Sequence, residues 1–415
     1  MPSPAILVIG GGISGLTAAL EAAEVGHEVF LVEKRPFLGG RVAQLASYFP
    51  KLCPPSCGLE IQFQRLRATR LVRFFTLAEV VGVTGAPGDY AVTVRCAPRF
   101  VTDDTLALDA AAAGLSRDVP NPFDAGLGRR KALYRETPFA FPHRMVLESE
   151  HCTGEELVAL AGLPGIDLQD APREVVLPVG AIIFATGWQP YDVTRLAELG
   201  AGGIANCITN LQFERLAAPN GPTGGAVVRP LDGKAPRRVA FIQCAGSRDV
   251  HHLDYCSSVC CLTALKQAAR VVAASPQARV SVYFIDQRTF GRDAAFAAHV
   301  LADDRIRAVR GKVAAVAEDP GSGDVLVTVE DTATGIKAEQ RFDLAVLATG
   351  MRSSLAGVRL PVDMPKDEAG FLTDDVARGL FVAGCAKEPL SVMRSTESAT
   401  AAAMRAIAFV RGGRG

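Results

Sequence analysis

The stretch AILVIGGGISGLTAALEAAEVGHEVFLVE, residues 5–33, decides the fold. Ala5–Gly10 is an apolar run that ends in glycine, a helical pattern follows from Ser14 to Val25, and Glu28–Glu33 is a second apolar run. Strand, helix and strand in that length make the βαβ unit of a parallel sheet. The first turn, Gly10-Gly11-Gly12-Ile13-Ser14-Gly15, contains G-x-G-x-x-G. Gly10 permits the tight turn, Gly12 lets a pyrophosphate approach the backbone, and Gly15 lets the helix pack on the sheet. The helix N-terminus offers N–H groups and positive potential to phosphates, which brings Ile13 and Ser14 into the candidate site. Glu33 lies 18 residues past Gly15, so its carboxylate is placed to accept from both hydroxyls of an adenosine ribose. The motif alone would fit a glycine turn with no ligand; strand, helix and acid together predict nucleotide binding.

The rest of the chain bounds the class. Its 415 residues suggest two domains, or one large domain with an insertion. Lysine and arginine total 44 and so do aspartate and glutamate, which gives no sign of a nucleic-acid surface or a polybasic membrane patch. The longest uncharged apolar stretches, Ala5–Leu20 and Val175–Tyr191, are broken by Gly or Pro and read as strand–turn elements rather than membrane spans. The chain enters its first strand without a basic leader, so a cytoplasmic protein is expected, held at any membrane only through partners.

Further segments favour FAD over NAD. After Glu33 comes Lys34-Arg35-Pro36-Phe37-Leu38-Gly39-Gly40-Arg41. It resembles the glycine doublet of two-dinucleotide-binding-domain flavoproteins, which lies near the pyrophosphate. Two Ala-Thr-Gly segments, 185–187 and 348–350, resemble strand ends that pass the cofactor in that class, which marks Thr186 and Gly187. Gly379–Gly384 resembles the segment that meets the ribityl chain, where the class has Asp after the glycine and this chain has Cys385. Ser395 or Thr396 would cap the final helix, expected from about Thr396 to Val410, with its N-terminus toward the flavin pyrimidine edge. Lys34 and Val80 complete the candidate cofactor contacts.

Four of the ten cysteines form C-x11-C-x3-C-C: Cys244, Cys256, Cys260 and Cys261. Cys244 closes an apolar strand and the others stand where a helix begins, so four thiolates could converge. Four thiolates are what a [4Fe–4S] cluster requires. Zinc is the rival metal, but adjacent cysteines on one zinc are unusual, and buried packing cysteines are the bland alternative. In reductases of this class the second α/β unit carries its own glycine fingerprint for NAD(P)H. Here the matching loop is Gln243-Cys244-Ala245-Gly246-Ser247-Arg248-Asp249, and the fingerprint is missing. His251 and His252 are expected to shape this loop rather than bind metal. Lys266, on the same helix as Cys261, is either a solvated lysine or a charge near the flavin. Cys53-Pro54-Pro55-Ser56-Cys57 is a separate pair with prolines that keep it out of a helix interior; it could be a redox disulfide, a partial metal site or unpaired. Cys96, Cys152 and Cys207 read as packing residues.

QCAGSRDVHHLDYCSSVCCLTALKQA with YFIDQRTFGRD, and FPKLCPPSCG with GDYAVTVRCAPRFV, resemble the A subunit of heterodisulfide reductase over most of the chain. The resemblance implies that Cys244, Cys256, Cys260 and Cys261 hold a [4Fe–4S] cluster beside FAD, with Lys266 near the flavin ring. Ferredoxin-type C-x2-C-x2-C-x3-C runs of that family do not occur in this sequence. VPNPFDAGLGRRKALYRETPFAFPHRMVLE is instead similar to the A subunit of the quinone-interacting membrane-bound oxidoreductase complex. That likeness implies electron exchange between the quinone pool and adenylylsulfate reductase. The partners it implies are a haem-bearing membrane subunit plus a second flavin and iron–sulfur subunit.

The fold expected is α/β: a Rossmann-like FAD domain with an inserted second α/β domain. Residues 1–100, 146–235 and 341–415 would form the FAD-binding domain, 101–145 an insertion, and 236–340 the domain carrying the cysteines. The activity expected is that of an oxidoreductase electron-relay subunit. The alternatives are a stand-alone NAD(P)H-dependent disulfide reductase using Cys53 and Cys57, or a silent scaffold subunit.

Overall fold

The computed structural model of the chain describes residues 4–332 and 335–412. Two units are present: one made from the chain up to Trp188 and from Ser353 onward, the other spanning Gln189–Arg352.

The first unit is organised by a five-stranded sheet in the order Leu380–Val382, Ala181–Phe184, Ile6–Ile9, Val29–Val32, Val72–Phe75. Every neighbouring pair is parallel. Side chains alternate along a strand, so the first strand serves two cores. Ile6 and Val8 are buried with Leu16 and Ala19 of the helix Ile13–Glu24 and with Ala399, Ala402 and Ala403 of the helix Val392–Val410. Leu7 is buried on the other face, with Val92, Val94 and Leu177. Those three belong to an antiparallel sheet of Arg173–Val179, Asp89–Cys96 and Ala78–Ala86. The helix Pro55–Ala68 leads into the edge strand Val72–Phe75. Pro55 starts that helix because proline suits a first helical position, where no N–H bond is lost.

The insertion is longer than its composition suggests. Leu160, on the helix Gly154–Ala161, is buried in one small core with Val101, Leu108, Leu133 and Met145. It therefore runs past residue 145 until the chain returns in the strand Arg173–Val179.

The second unit holds a seven-stranded sheet in the order Cys207–Thr209, Leu344–Thr349, Arg238–Ala245, Arg279–Phe284, Ile306–Glu318, Val325–Asp331, Ile336–Phe342. The first five are parallel and the last two are antiparallel. Its limits differ from the 236–340 expected. Cys207–Thr209 and Leu344–Thr349 pair with each other, and the latter pairs with Arg238–Ala245. The Ala-Thr-Gly at 348–350 thus closes a strand of the cysteine-bearing unit, and only the copy at 185–187 lies in the unit with the glycine loop. Both segments are buried strands ending in small residues, and pairing partners alone tell them apart. Among the described residues, no helix is long and apolar enough to cross a membrane.

Candidate functional site

The glycine loop separates structural need from open space. Gly10 has φ +111°, a region that side chains with a Cβ avoid, and a Cβ there would strike the Ala185 carbonyl. A Cβ on Gly15 would strike the Gly10 carbonyl. At Gly12 the nearest atom to an added Cβ is the Gly40 Cα, 3.8 Å away. The fold itself therefore demands Gly10 and Gly15, whereas the room over Gly12 is a cradle that a side chain would fill. Gly12 is the extended N-cap of the helix Ile13–Glu24 and has no capping side chain. The first helical N–H groups, those of Ile13 and Ser14 among them, have no acceptor within the helix.

Of the predicted contacts beyond the loop, Gly39, Gly40 and Glu33 lie against it, whereas Lys34 and Val80 do not. Gly39 bridges to Gly12 and donates to the Gly11 carbonyl at 2.8 Å. Gly40, with φ +56°, comes so close that its Cβ would lie 2.8 Å from the Gly12 Cα. Glu33 is buried and accepts from the Gly11 N–H at 2.6 Å and the Arg35 N–H at 2.8 Å. Burial pushes its carboxyl above the usual range, while those two backbone donors pull the other way. A carboxylate offers about four lone-pair directions, so two remain for ribose hydroxyls. Lys34 extends outward to an ion pair with Glu79 at 2.6 Å. Val80 sits beside Glu79 in the strand Ala78–Ala86, opposite Val94.

Two features suit an anionic, many-atomed ligand. Arg41 donates to the Trp188 carbonyl and to Gln44, at 3.2 and 3.1 Å, and has no carboxylate partner among the described residues. Burial, with help from Arg35, lowers it to about 10, the state of a cation short of counter-charge. Thr186 and Ser354 each hold a buried hydroxyl with no hydrogen-bond partner among the described residues. The Ser354 N–H meets the carbonyl of Gly187, which has φ +74°. The cradle, the bare cation and the orphaned hydroxyls all fit a dinucleotide.

The C-terminal contacts fall partly elsewhere than expected. The last helix begins at Val392, and its cap is Ser391, which accepts from the Arg394 N–H at 3.3 Å. Ser395 and Thr396 are therefore inside the first turns, not caps. Thr396 returns its hydroxyl to the Met393 carbonyl at 2.6 Å. Ser395 is buried; its carbonyl accepts from the Ser14 hydroxyl at 3.4 Å, and its own hydroxyl lies 3.6 Å from the Cys385 sulfur. Cys385 also donates to the Leu390 carbonyl at 3.4 Å. Gly384 leaves no room for a side chain against Ser14.

In the second unit Cys244, Cys256, Cys260 and Cys261 line one pocket, with Ser247, Arg248, Asp286 and Arg288. Cys244 has φ +57° near the end of the strand Arg238–Ala245. Cys260 and Cys261 open the helix Cys260–Ala274. The Ser258 N–H points at the Cys256 sulfur at 3.3 Å and the Arg288 N–H at the Cys261 sulfur at 3.5 Å. Burial pushes the thiols of Cys244, Cys260 and Cys261 up, and charge on neighbouring cysteines adds to it. Four such thiolates need compensating positive charge from whatever they bind. No three His, Cys, Asp or Glu among the described residues stand close enough for a single ion. A cubane puts each thiolate on a different iron, so it takes sulfurs more widely spaced than one zinc does. The Ser247 hydroxyl and one Arg248 nitrogen, from residues that line this pocket, are buried with no hydrogen-bond partner among the described residues. The donor set and its orphaned polar neighbours fit an iron–sulfur cluster.

Lys266 is not a solvated lysine. It is buried and pairs with buried Glu214 at 2.9 Å, and Glu214 also accepts from Gln267 at 2.7 Å. His252 shapes the cysteine loop, with its ring 2.8 Å from the Tyr191 hydroxyl, and His251 is exposed. Cys57 is exposed in the first turn of the helix Pro55–Ala68, and Cys53 is half-buried just ahead of it. Cys96 and Cys207 are buried, as expected of packing residues, and Cys152 is half-buried.

Sequence reasoning passes over Ser247, Arg248, Asp286 and Arg288 as site residues. All four lie in segments that carry the family resemblance, but nothing in their spacing aims a charge at a thiol. It also passes over Ser354 and Trp188, which only the return of the chain brings to the glycine loop's strand end.

The FAD dependent oxidoreductase family matches residues 5–54, the span of the glycine loop and doublet, which makes FAD the dinucleotide of the first unit. The chain is 38% identical over 98% of its length to an iron-sulfur A subunit of CoB–CoM heterodisulfide reductase from Methanopyrus kandleri, and covers 64% of that protein. It is 40% identical over 83% of its length to the corresponding A subunit from Methanocaldococcus jannaschii, of which it covers 53%. A third relative, the A subunit of the H(2):CoB-CoM heterodisulfide,ferredoxin reductase of Methanothermobacter thermautotrophicus, is 34% identical over 98% of this chain, with 64% of its own length covered. The chain thus spans less than two thirds of these relatives. Among solved structures, thioredoxin reductase of Lactococcus lactis matches with a TM-score of 0.55 and 13% identity, covering 99% of this chain and 100% of that one. Thioredoxin reductase of T. acidophilum matches with a TM-score of 0.54 and 13% identity over 99% of each chain. These two show the two-domain flavoprotein fold.

Proposed function

We propose that this chain, related by sequence over nearly its whole length to the A subunits of heterodisulfide reductase, is the FAD- and iron–sulfur-bearing electron-transfer subunit of an oxidoreductase complex. The observation that carries the reading is the convergence of Cys244, Cys256, Cys260 and Cys261 on one pocket, at the loop where a reductase of this fold would bind a nicotinamide. Gly10, Gly12, Ile13, Ser14, Gly15, Gly39, Gly40 and Arg41 would hold the FAD phosphates, and Glu33 the ribose, with Lys34 and Val80 beside them. Thr186, Gly187, Gly384, Cys385, Ser395 and Thr396 would line the flavin end, and the four thiolates would hold a [4Fe–4S] cluster. When bound, the flavin supplies exchange in one- or two-electron steps and the cluster in single electrons. The chain's own part is to fix both groups, exclude water from the thiolates and set their charge environment. Lys266, positioned by Glu214, is the candidate for favouring reduced flavin.

The finer reading is a complex that links the quinone pool to adenylylsulfate reductase. It rests on the segment Val119–Glu148, which is similar to the quinone-interacting complex. The partners would be a haem-bearing membrane subunit plus a second flavin and iron–sulfur subunit. The chain would then be cytoplasmic and peripheral to the membrane.

Oxygen-free purification with native partners tests both levels. One flavin, four irons and four acid-labile sulfides per chain are expected, with flavin and cluster both bleaching on reduction. A yellow preparation without iron would remove the cluster assignment. Rapid bleaching by NADH or NADPH alone would favour a disulfide reductase instead. Reduction by a quinol only when the membrane subunit is present would support the quinone link.

A further inference from the structure

The cysteine pocket contains a cation that thiol ligation does not explain. Arg248 stands four residues past Cys244 with φ +58°, a conformation that residues with a Cβ avoid. Its Nη2 is 2.8 Å from the Asp286 carboxylate. Its Nη1 is buried and has no hydrogen-bond partner among the described residues. An unmade hydrogen bond at a buried donor is unfavourable, and more so when the group is charged. The side chain lines the same pocket as the four thiols and interacts with the Cys244 sulfur. Asp286 holds one arm of the guanidinium, and the side chain lines the pocket from an already strained loop. A surface clamp would need neither the strain nor the orphaned arm.

We propose that Arg248 is a fixed positive charge that raises the reduction potential of the cluster held by Cys244, Cys256, Cys260 and Cys261, with Asp286 as the residue that positions it. The inference rests on the cluster assignment above. One electron added to the cluster adds one negative charge within reach of the guanidinium. Arginine stays charged at every working pH, so no proton has to accompany that electron. A nearby cation and a hydrogen bond to ligand sulfur both stabilise the reduced form more than the oxidised one. Arg288 and Arg310 also approach Asp286, at 3.9 and 4.0 Å, but their side chains are substantially exposed and screened by water. Arg248 is the least exposed of the three, at 24%.

The test is a redox titration, followed by electron paramagnetic resonance, of the anaerobically purified full chain and its Arg248→Gln, Arg248→Lys and Asp286→Asn variants. Iron is counted in each. Arg248→Gln should keep four irons and shift the midpoint to lower potential. Arg248→Lys should shift it less, because the charge survives and only the fork is lost. Asp286→Asn should also lower it, by less than Arg248→Gln, because the guanidinium that Asp286 positions is released from the thiolates while one anion is removed. If the Gln variant loses its cluster, the Lys and Asn variants still read the sign. Unchanged midpoints in iron-replete variants would overturn the role of Arg248 and leave the cluster assignment standing. Absence of iron from the unaltered chain would overturn the cluster assignment itself.

Discussion

Two loops in this protein occupy the same place in two sheets, and they are built in opposite ways. After the strand Ile6–Ile9 the chain reaches its helix within three residues, all glycine. After the strand Arg238–Ala245 it wanders from Gly246 to Val259 before the helix Cys260–Ala274 begins. The first loop removes side chains so that backbone N–H groups and a helix end can meet an anion. The second keeps side chains even where the backbone would prefer glycine: Cys244, Arg248 and Ser258 all have positive φ. Strain at residues with a Cβ is tolerated where the side chain itself is needed. In the proposed reading one loop binds with its backbone and the other with sulfur.

That contrast can be broken most severely at Gly15. Gly15→Val drives a Cβ into the Gly10 carbonyl, so the first unit should fail to fold, read as loss of soluble protein or of cooperative unfolding. In the second loop, Cys260→Ser should abolish cluster iron while most flavin stays, checked by iron and flavin counts on one preparation. Full iron content would remove Cys260 from the ligand set. Gly12→Val separates ligand from fold: its Cβ meets nothing closer than 3.8 Å, so the chain should fold with a near-normal melting temperature and lack FAD. Stoichiometric flavin in that variant would move the site elsewhere.

The same comparison shows what is legible in the sequence. The glycine loop can be read because backbone geometry leaves a composition signature: Gly10 and Gly15 are forced by close approaches that occur within a few residues or across one strand. The four cysteines can be read because thiols are rare and these are clustered. The ends of the second unit cannot. Leu344–Thr349 carries the same buried, small-ended pattern as Ala181–Phe184, and only hydrogen-bond pairing assigns it to a sheet. The cap of the last helix falls a few residues earlier than its sequence suggests, because Ser391, Ser395 and Thr396 are all capable N-caps. Arg248 and Asp286 are out of reach for another reason. They come from the turns after two neighbouring strands, and no periodicity links them.

A smaller effect comes from protons. Burial holds the thiols of Cys244, Cys260 and Cys261 above the ordinary cysteine range, whereas the unfolded chain titrates near 8.5. The folded apo form therefore binds more protons than the unfolded one above that pH, and its stability falls as pH rises. Metal-free protein should melt lower at pH 9.5 than at pH 7.5, and Cys260→Ser should reduce the difference. Cluster assembly should show the reverse trend, because ligation releases the thiol protons. An identical pH slope in the serine variant would mean that the Cys260 thiol is not held neutral by the fold.

The smallest expected effect sets strain directly against ligation. Cys244 is held at φ +57°, where a residue with a Cβ loses roughly 1–2 kcal/mol relative to glycine. Cys244→Gly relieves that strain but removes one of four sulfurs. Metal-free Cys244→Gly should therefore be slightly more stable than the metal-free parent, by about 1 kcal/mol after glycine's extra freedom in the unfolded chain is subtracted. After anaerobic reconstitution the order should invert, because only the parent regains a complete cluster. Chemical denaturation of both proteins, with and without metal, gives the four numbers needed. If Cys244→Gly were destabilising in the metal-free state as well, the thiol would be holding the loop by packing. The reading of Cys244 as a residue strained for the sake of its sulfur would then fail.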